Sequence, residues 1–377
     1  MRPETIAIHA GQSVDPASGA IATPICLSTT FERAGDGSFS SGFEYGRDNN
    51  PNRRSLETCL AVLEGGASAI TFASGMAAIC AAIESLPSDK PQRLVLPDDM
   101  YFGIRSLIDE TDIGRRFAWT AIDMTDLAAV EAACSEPTGL VWIETPSNPL
   151  IKVADIVAVA KIARQSGALV AVDNTWATPL LQKPLELGAD IVVHSLTKYV
   201  GGHSDVMIGA VVVKADGAQA ESLRAIQKHK GSIPSPFDCW LALRGLQTLP
   251  ARMRVHCENA REIAQYLAGH ARIDAIYYPG LPSDPGHAIA SRQMRDFGGM
   301  LAFVVKGGHA EAMQVAANLR LITRATSLGG THTLIEHRAS VEGPNTMAPE
   351  GLLRLSVGLE HHDDLIADLT CALDSLG

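Results

Sequence analysis

Two short segments, 140–144 (LVWIE) and 168–173 (ALVAVD), are apolar at nearly every position, so any strand they form is greasy on both faces. Such a strand must be covered on both sides, which is the situation in a parallel sheet layered between helices. Similar runs recur along the chain at 69–72, 93–97, 117–122, 189–193 and 208–213. Between them lie segments with helical spacing at 75–86, 102–111, 127–134 and 156–166. The alternation predicts an α/β fold with a largely parallel sheet covered by helices, the strand at 208–213 being a hairpin-like return. A hydrophobic content of 46% with only 5% aromatic residues and 33 glycines suits that aliphatic-rich class.

The flanks read differently. Residues 1–50 have no sustained period but carry isolated apolar spots (Ile21, Ile25, Phe31, Phe43, Tyr45), as expected of an arm draped over another surface. Residues 51–248 hold the alternating pattern and 249–377 a smaller α+β domain. A helical stretch at 236–267, expected to break near Pro250, connects them, and an amphipathic helix at 362–376 closes the chain. The formal net charge of −11 argues against nucleic acid or an anionic membrane as the main partner. No run approaches 18 apolar residues and Met1-Arg2-Pro3-Glu4 begins no signal peptide, so the expectation is a cytoplasmic enzyme. Seven scattered cysteines without a C-x-x-C pair point to reduced thiols and to no metal site.

In a parallel sheet, ligands bind at the carboxyl ends of the strands. Those ends supply Ser74-Gly75-Met76, Asp98 to Tyr101, Glu144 to Asn148, Asp173-Asn174-Thr175 and His194 to Lys198. Ser74-Gly75-Met76 opens a helix whose free N–H groups suit a phosphate. Asp173 can hold a buried cation, Tyr101 offers a flat face for stacking, and Lys198 offers an amine that burial makes nucleophilic. Ser195 and Thr197 place two hydroxyls beside that amine. Taken singly, Gly75 also suits tight helix packing, Asp173 the capping of a turn, and Tyr101 plain core. Together the four describe a site for pyridoxal phosphate. The chain contains no G-x-G-x-x-G and no G-x-x-x-x-G-K-[ST], the signatures a nicotinamide dehydrogenase or a P-loop enzyme would carry.

The motifs in their order also resemble a known family. They include Pro24 to Phe31 (PICLSTTF), Tyr45-Gly46-Arg47, Ser74-Gly75-Met76, Asp98 to Gly103, Glu144 to Leu150 (ETPSNPL), Asp173-Asn174-Thr175, Ser195 to Tyr199, Ser327 to Gly330 and Arg354 to Gly358. This is similar to the Cys/Met-metabolism, or transsulfuration, family of pyridoxal-phosphate enzymes, and the likeness runs almost end to end. The resemblance implies fold type I, the aspartate-aminotransferase-like architecture. It implies that Lys198 holds the cofactor covalently, that Asp173 keeps its ring nitrogen protonated, and that Tyr101 stacks on the ring and assists proton transfer. Ser74, Gly75, Met76, Ser195 and Thr197 would hold the phosphate, with Tyr45 and Arg47 reaching it from a neighbouring subunit of a homodimer or homotetramer. Arg354 would clamp the substrate α-carboxylate, Asn148 would sit between that carboxylate and the ring, and Ser327 would line the substrate side.

The departures fall on that substrate side. Phe102 replaces a usual glycine, Thr331-His332-Thr333 follows the SLGG turn where relatives carry a glutamate at the middle position, and 337–343 (HRASVEG) replaces a H-P-A-x-M-T-H pattern. The implied reaction is γ-elimination, a C–S or C–O lyase activity on a γ-substituted amino acid of the homoserine, cystathionine or methionine type. Alternatives are γ-replacement, as in a cystathionine γ-synthase or an O-acyl-homoserine sulfhydrylase, and β-elimination. A catalytically silent scaffold is the reading from a different class. His332 would line the distal pocket and disfavour the second ammonium group of cystathionine. Glu336, Arg338 and Glu342 leave open a pocket for another polar or cationic tail, including a guanidinium-type tail as in canavanine.

Overall fold

The computed structural model describes residues 1–342 and 346–376. Its first sheet has seven strands: β1 (Ser68–Phe72), β2 (Arg93–Pro97), β3 (Ala118–Ile122), β4 (Leu140–Glu144), β5 (Leu169–Asp173), β6 (Ile191–Ser195) and β7 (Gly209–Val213). They lie in the order β1-β7-β6-β5-β4-β2-β3. All neighbours are parallel except β7, which runs antiparallel to both β1 and β6, as a hairpin-like return requires. The two-sided apolar pattern is used as expected. Val141, Ile143, Val170 and Val172 enter the core on one face. Leu140, Trp142, Ala171 and Val193 enter the core on the other.

Capping chemistry sets where the covering helices begin. Ser74 Oγ accepts from Ala77 N at 3.1 Å and starts the helix Gly75–Glu84. Asp126 and Asp155 play the same part for Leu127–Cys134 and Ile156–Gln165. The second sheet is β10-β11-β12-β9-β8, built from β8 (Ile273–Tyr277), β9 (Met300–Val305), β10 (Thr323–Arg324), β11 (Leu334–His337) and β12 (Leu352–Ser356). Its core joins Leu301, Phe303, Leu353 and Leu355 to the closing helix His362–Asp374. β8, β10 and β11 were not foreseen, because two- to five-residue strands with mixed burial show no clean period.

The connector is one helix, Pro236–Ala268, and Pro250 does not break it. Proline removes an N–H and crowds the preceding turn, which leaves carbonyls of that turn short of partners. Arg252 braces the turn just before it: its Nη2 reaches Gly245 O at 2.7 Å, while its Nη1 reaches Tyr199 O at 2.6 Å. Arg252 thus supports the proline turn and fastens it to the loop that follows Lys198. Gly245 allows the contact, since a Cβ there would stand 2.2 Å from Val200 O. The expected boundary at 248/249 falls inside this helix.

The arm is only partly irregular. A short helix, Pro3–His9, and the longer Pro51–Glu64 bracket it. Asn52 ties down residues 24–26, accepting from Cys26 N at 2.8 Å and donating to Pro24 O at 2.8 Å. Beside this anchor Ile21 (87%) and Leu27 (69%) stay exposed, an apolar surface without cover in the single chain. Among the described residues no helix is long and apolar enough to cross a membrane.

Candidate active site

The carboxyl ends of β4, β5 and β6, the start of the helix Gly75–Glu84 and the 326–328 turn enclose a cavity of about 250 Å³. Ser74, Gly75, Met76, Tyr101, Asn148, Asp173, Ser195, Thr197, Lys198, Ser327 and Arg354 all line it. The sequence scatters these positions over 280 residues, and the sheet topology gathers them.

Lys198 sits one turn beyond β6. Its Nζ donates to Ser327 Oγ at 2.9 Å. Burial, aided by the nearby Arg354 guanidinium and opposed by Glu336, pulls the amine down to about 8. Near neutrality the unprotonated amine is therefore a minor but substantial species, about a tenth of the total and far more than an ordinary lysine provides. Ser327 holds a left-handed backbone with φ 88°, a conformation that costs a non-glycine residue about 1 kcal/mol or more. That geometry aims its hydroxyl at the lysine and its carbonyl at Arg354 Nη2, 3.2 Å away. Gly329 in the same turn lies against the lysine's own backbone: a Cβ would stand 3.0 Å from Lys198 C and 2.6 Å from Tyr199 N.

At the opposite end is an anion cradle. Gly75 and Met76 occupy the first two helical positions, where N–H groups have no intrahelical acceptor. A Cβ on Gly75 would be 2.8 Å from Ser195 Oγ, so only glycine leaves the cradle open. Thr197 Oγ1 accepts from Ile208 N at 3.0 Å, which fixes its hydroxyl in the wall. Asp173 terminates β5 with its carboxyl accepting from Thr175 N at 2.9 Å, and burial raises its proton affinity. A cationic ring N–H is the partner that makes ionised Asp173 stable there.

Tyr101 closes one face. Its backbone N donates to Glu144 Oε2 at 2.7 Å. Burial pushes Glu144 well above the usual carboxylate range, with neighbouring Asp173 adding to the shift. Gly103 lets the tyrosine ring fold back, since a Cβ there would lie 2.4 Å from Tyr101 Cε1. Arg354, on β12, donates to Asn148 Oδ1 at 2.8 Å and to Glu336 Oε2 at 3.1 Å. Among the described residues its Nε is buried without a partner. Burial, with Arg338 beside it, draws this guanidinium down to about 9 while Glu336 opposes. An unpaired buried donor on a crowded cation is a ready receptor for a carboxylate. Phosphate cradle, buried carboxyl, stacking face and free amine each have a structural seat, so the residues present fit pyridoxal phosphate.

Three expected residues are elsewhere. His332 is exposed and does not line the cavity; its Nδ1 lies 3.2 Å from Thr331 Oγ1. The reason is a grip on the backbone from residues 358–360. Thr333 is gripped by Glu360 through its N (2.8 Å) and Oγ1 (2.7 Å), and the residue 332 backbone lies against Gly358. That fixed backbone leaves the His332 side chain outside. Tyr45 and Arg47 flank a separate groove with Pro234 and Pro236, the Arg47 guanidinium 5.4 Å from the Tyr45 ring. In place of His332 the distal wall carries Arg338 and Phe102, with Met207 and Thr326. Glu144, Thr175 and Trp176 also line the cavity. The sequence signalled Phe102 as a departure from a familiar pattern, and Arg338 as one member of an open alternative with Glu336 and Glu342.

Comparison with known proteins agrees with this chemistry. The family profile described as Cys/Met metabolism PLP-dependent enzyme matches residues 4–374. Cystathionine gamma-synthase of Mycobacterium tuberculosis is 47% identical over 98% of this chain and 96% of its own length. Cystathionine gamma-lyase of Dictyostelium discoideum is 43% identical over 98% and 97%. The crystal structure of a cystathionine gamma synthase from Xanthomonas oryzae pv. oryzae superposes with a TM-score of 0.94 at 42% identity, covering 99% of this chain and 98% of the other.

Proposed function

Because this chain belongs to the Cys/Met metabolism family of pyridoxal-phosphate-dependent enzymes, we propose that it catalyses γ-elimination on a γ-substituted amino acid of the homoserine, cystathionine or methionine type. Relatives of nearly equal identity are named for synthase and for lyase reactions, so overall likeness leaves the individual reaction open. The observation that carries the amino-acid reading is the pairing of Lys198 with Arg354. A depressed amine and a guanidinium with a free buried donor meet through one residue, Ser327.

Bound pyridoxal phosphate supplies an electron sink that stabilises negative charge at the substrate's Cα and Cβ. The chain supplies the rest. Arg354, oriented by Asn148 and Glu336, receives the α-carboxylate and sets which Cα bond faces the sink. Lys198 Nζ, which burial makes easier to deprotonate than an ordinary lysine, takes the Cα proton and returns protons to neighbouring carbons. Ser327 holds that amine when it is not bonded elsewhere. Tyr101 stands over the same space and can pass a proton to the departing γ-group.

Tyr45 and Arg47 act, in this reading, on the cofactor phosphate of a neighbouring subunit, making the enzyme a homodimer with shared sites, paired into a homotetramer. The exposed apolar arm supports that arrangement, and the cytoplasm is its compartment. The purified holoenzyme should release 2-oxobutyrate and ammonia from a γ-substituted amino acid without an added thiol. Release of pyruvate from β-substituted substrates alone, or turnover only when a thiol nucleophile is present, overturns γ-elimination. Mixing Arg47→Ala chains with Lys198→Ala chains should restore activity in mixed dimers; no recovery means the arm serves its own subunit.

A further inference from the structure

The lysine, the carboxylate clamp and the phosphate cradle occupy the inner cavity, and beyond them stands a wall made by Phe102, Arg338, Met207 and Thr326. With the α-amino group at Lys198 and the α-carboxylate at Arg354, the substrate's side chain must extend toward this wall. Its charged member, Arg338, is only 1% exposed. The guanidinium is held from three sides. Its Nε and Nη2 donate to Glu342 Oε1 at 3.1 and 2.8 Å, and its Nη1 donates to Glu336. The Phe102 ring lies 5.9 Å from its Cζ.

An aromatic face with two carboxylates is the surrounding that recognises an ammonium or guanidinium tail. Here the chain fills that niche with its own cation. Glu336 also accepts from Arg354, and Glu342 Oε2 accepts from Thr346 Oγ1 at 2.7 Å, so both carboxylates are already engaged. We propose that Arg338 is a specificity-determining residue: it occupies the cation niche of the distal wall, so substrates with a neutral or anionic γ-substituent are accepted and those ending in a cation are rejected. Placing a second cation beside a buried, immobile guanidinium costs affinity that the engaged Glu336 and Glu342 do not offset. The guanidinium-ended amino acids that the sequence left open become poor ligands on this reading.

The inference rests on the proposed amino-acid site, and two nearly isosteric probes separate the two. L-lysine and L-6-hydroxynorleucine differ only in an ammonium against a hydroxyl at the chain end. Each is titrated into the holoenzyme, and binding is read both from the cofactor's visible spectrum and by calorimetry. The hydroxyl compound should bind at least about tenfold more tightly to the native protein. Arg338→Met, which frees Glu336 and Glu342, should narrow that ratio at least tenfold or reverse it, while Arg338→Lys should keep it. Equal affinities in the native enzyme overturn the inference while leaving the amino-acid site standing. Failure of both compounds to perturb the cofactor overturns the amino-acid reading itself. If Arg338→Met does not fold, the native comparison alone decides.

Discussion

The inner end of the cavity and its outer wall are made in different ways. The inner end is backbone architecture: strand ends, a helix start, and glycines whose missing Cβ atoms set the space. Its side chains line the cavity from positions fixed by the sheet. The outer wall is side-chain work: its charged member, Arg338, is held between Glu336 and Glu342, with Arg354 joined through Glu336. A backbone-built site changes only when the fold changes. A wall of interlocked side chains can be rewritten by two or three substitutions, so it is where members of one fold are free to differ in substrate.

That contrast can be broken most severely at the inner end. Lys198→Ala should lower turnover by about 10³-fold or more, since it removes both nucleophile and base. Mass spectrometry after borohydride treatment should find no lysine-linked cofactor, while the circular dichroism of the fold is retained. A labelled lysine elsewhere in the cavity would displace Lys198 from its role. Arg354→Met should reduce kcat/KM by about 10²-fold, chiefly through KM, because it removes the α-carboxylate's partner and leaves Glu336 to Arg338 alone. An unchanged KM would mean that the substrate carboxylate binds elsewhere.

Gly75→Ala should weaken cofactor retention by about tenfold, as measured by dialysis against visible absorbance, because the new methyl enters the space of Ser195. Retention equal to the native protein would show the cradle to be slack. A smaller effect comes from Lys198 itself. Its folded amine titrates near 8, below the ordinary value of 10.5, so the unfolded chain binds more protons between those two pH values. The cost of burying the ammonium is therefore full below pH 8 and is relieved as pH rises above it. Cofactor-free Lys198→Met should melt higher than the native protein at pH 7, by a margin that shrinks toward pH 9.5. A constant margin refutes the depressed amine. The mildest change is Phe102→Gly, which loses an edge contact with the Tyr101 ring (4.9 Å) and the approach to Arg338. Urea unfolding should register a loss of about 1–2 kcal/mol with cofactor retention intact. Loss of cofactor from this variant would mean that the wall and the inner end are not independent.

Sequence reading reached the inner end because its determinants are local. Ser74-Gly75-Met76 announces a helix start, 168–173 announces a buried strand ending in a carboxylate, and SLTK follows a third such strand. The order of these pieces, with the topology of parallel sheets, brings them to one edge. The outer wall has no local signal of that kind. Whether residue 332 or 338 enters the cavity depends on how Glu360 and Gly358, nearly thirty residues on, hold the 331–333 backbone. Pairing across such distances leaves no period in the sequence, so both His332 and the Glu336, Arg338 and Glu342 group stand as candidates there, and only Arg338 lines the cavity. The short strands of the second sheet escaped for a related reason, their edges being half-buried and irregular. The local rule that proline breaks a helix does not hold at Pro250, where the helix is packed along its length and Arg252 ties its turn to the lysine loop.

The uninterrupted helix Pro236–Ala268 has a further consequence. Its first half contributes Cys239, Leu243, Leu246 and Leu249 to the core beneath the first sheet, a core that also takes in Met300, Ala302 and Leu352 of the second. Its last turns contribute Ala260, Ile263 and Leu267 to the interior of the second sheet. The helix is thus a shared beam and not a tether, and neither half keeps its interior dry without it. A chain cut at residue 248 would expose apolar surface on both fragments, and heat should dissolve the two halves in one step. Lys198 on one side and Arg354 on the other therefore keep their spacing by the rigidity of a common support, and the active site survives only as long as the whole frame does.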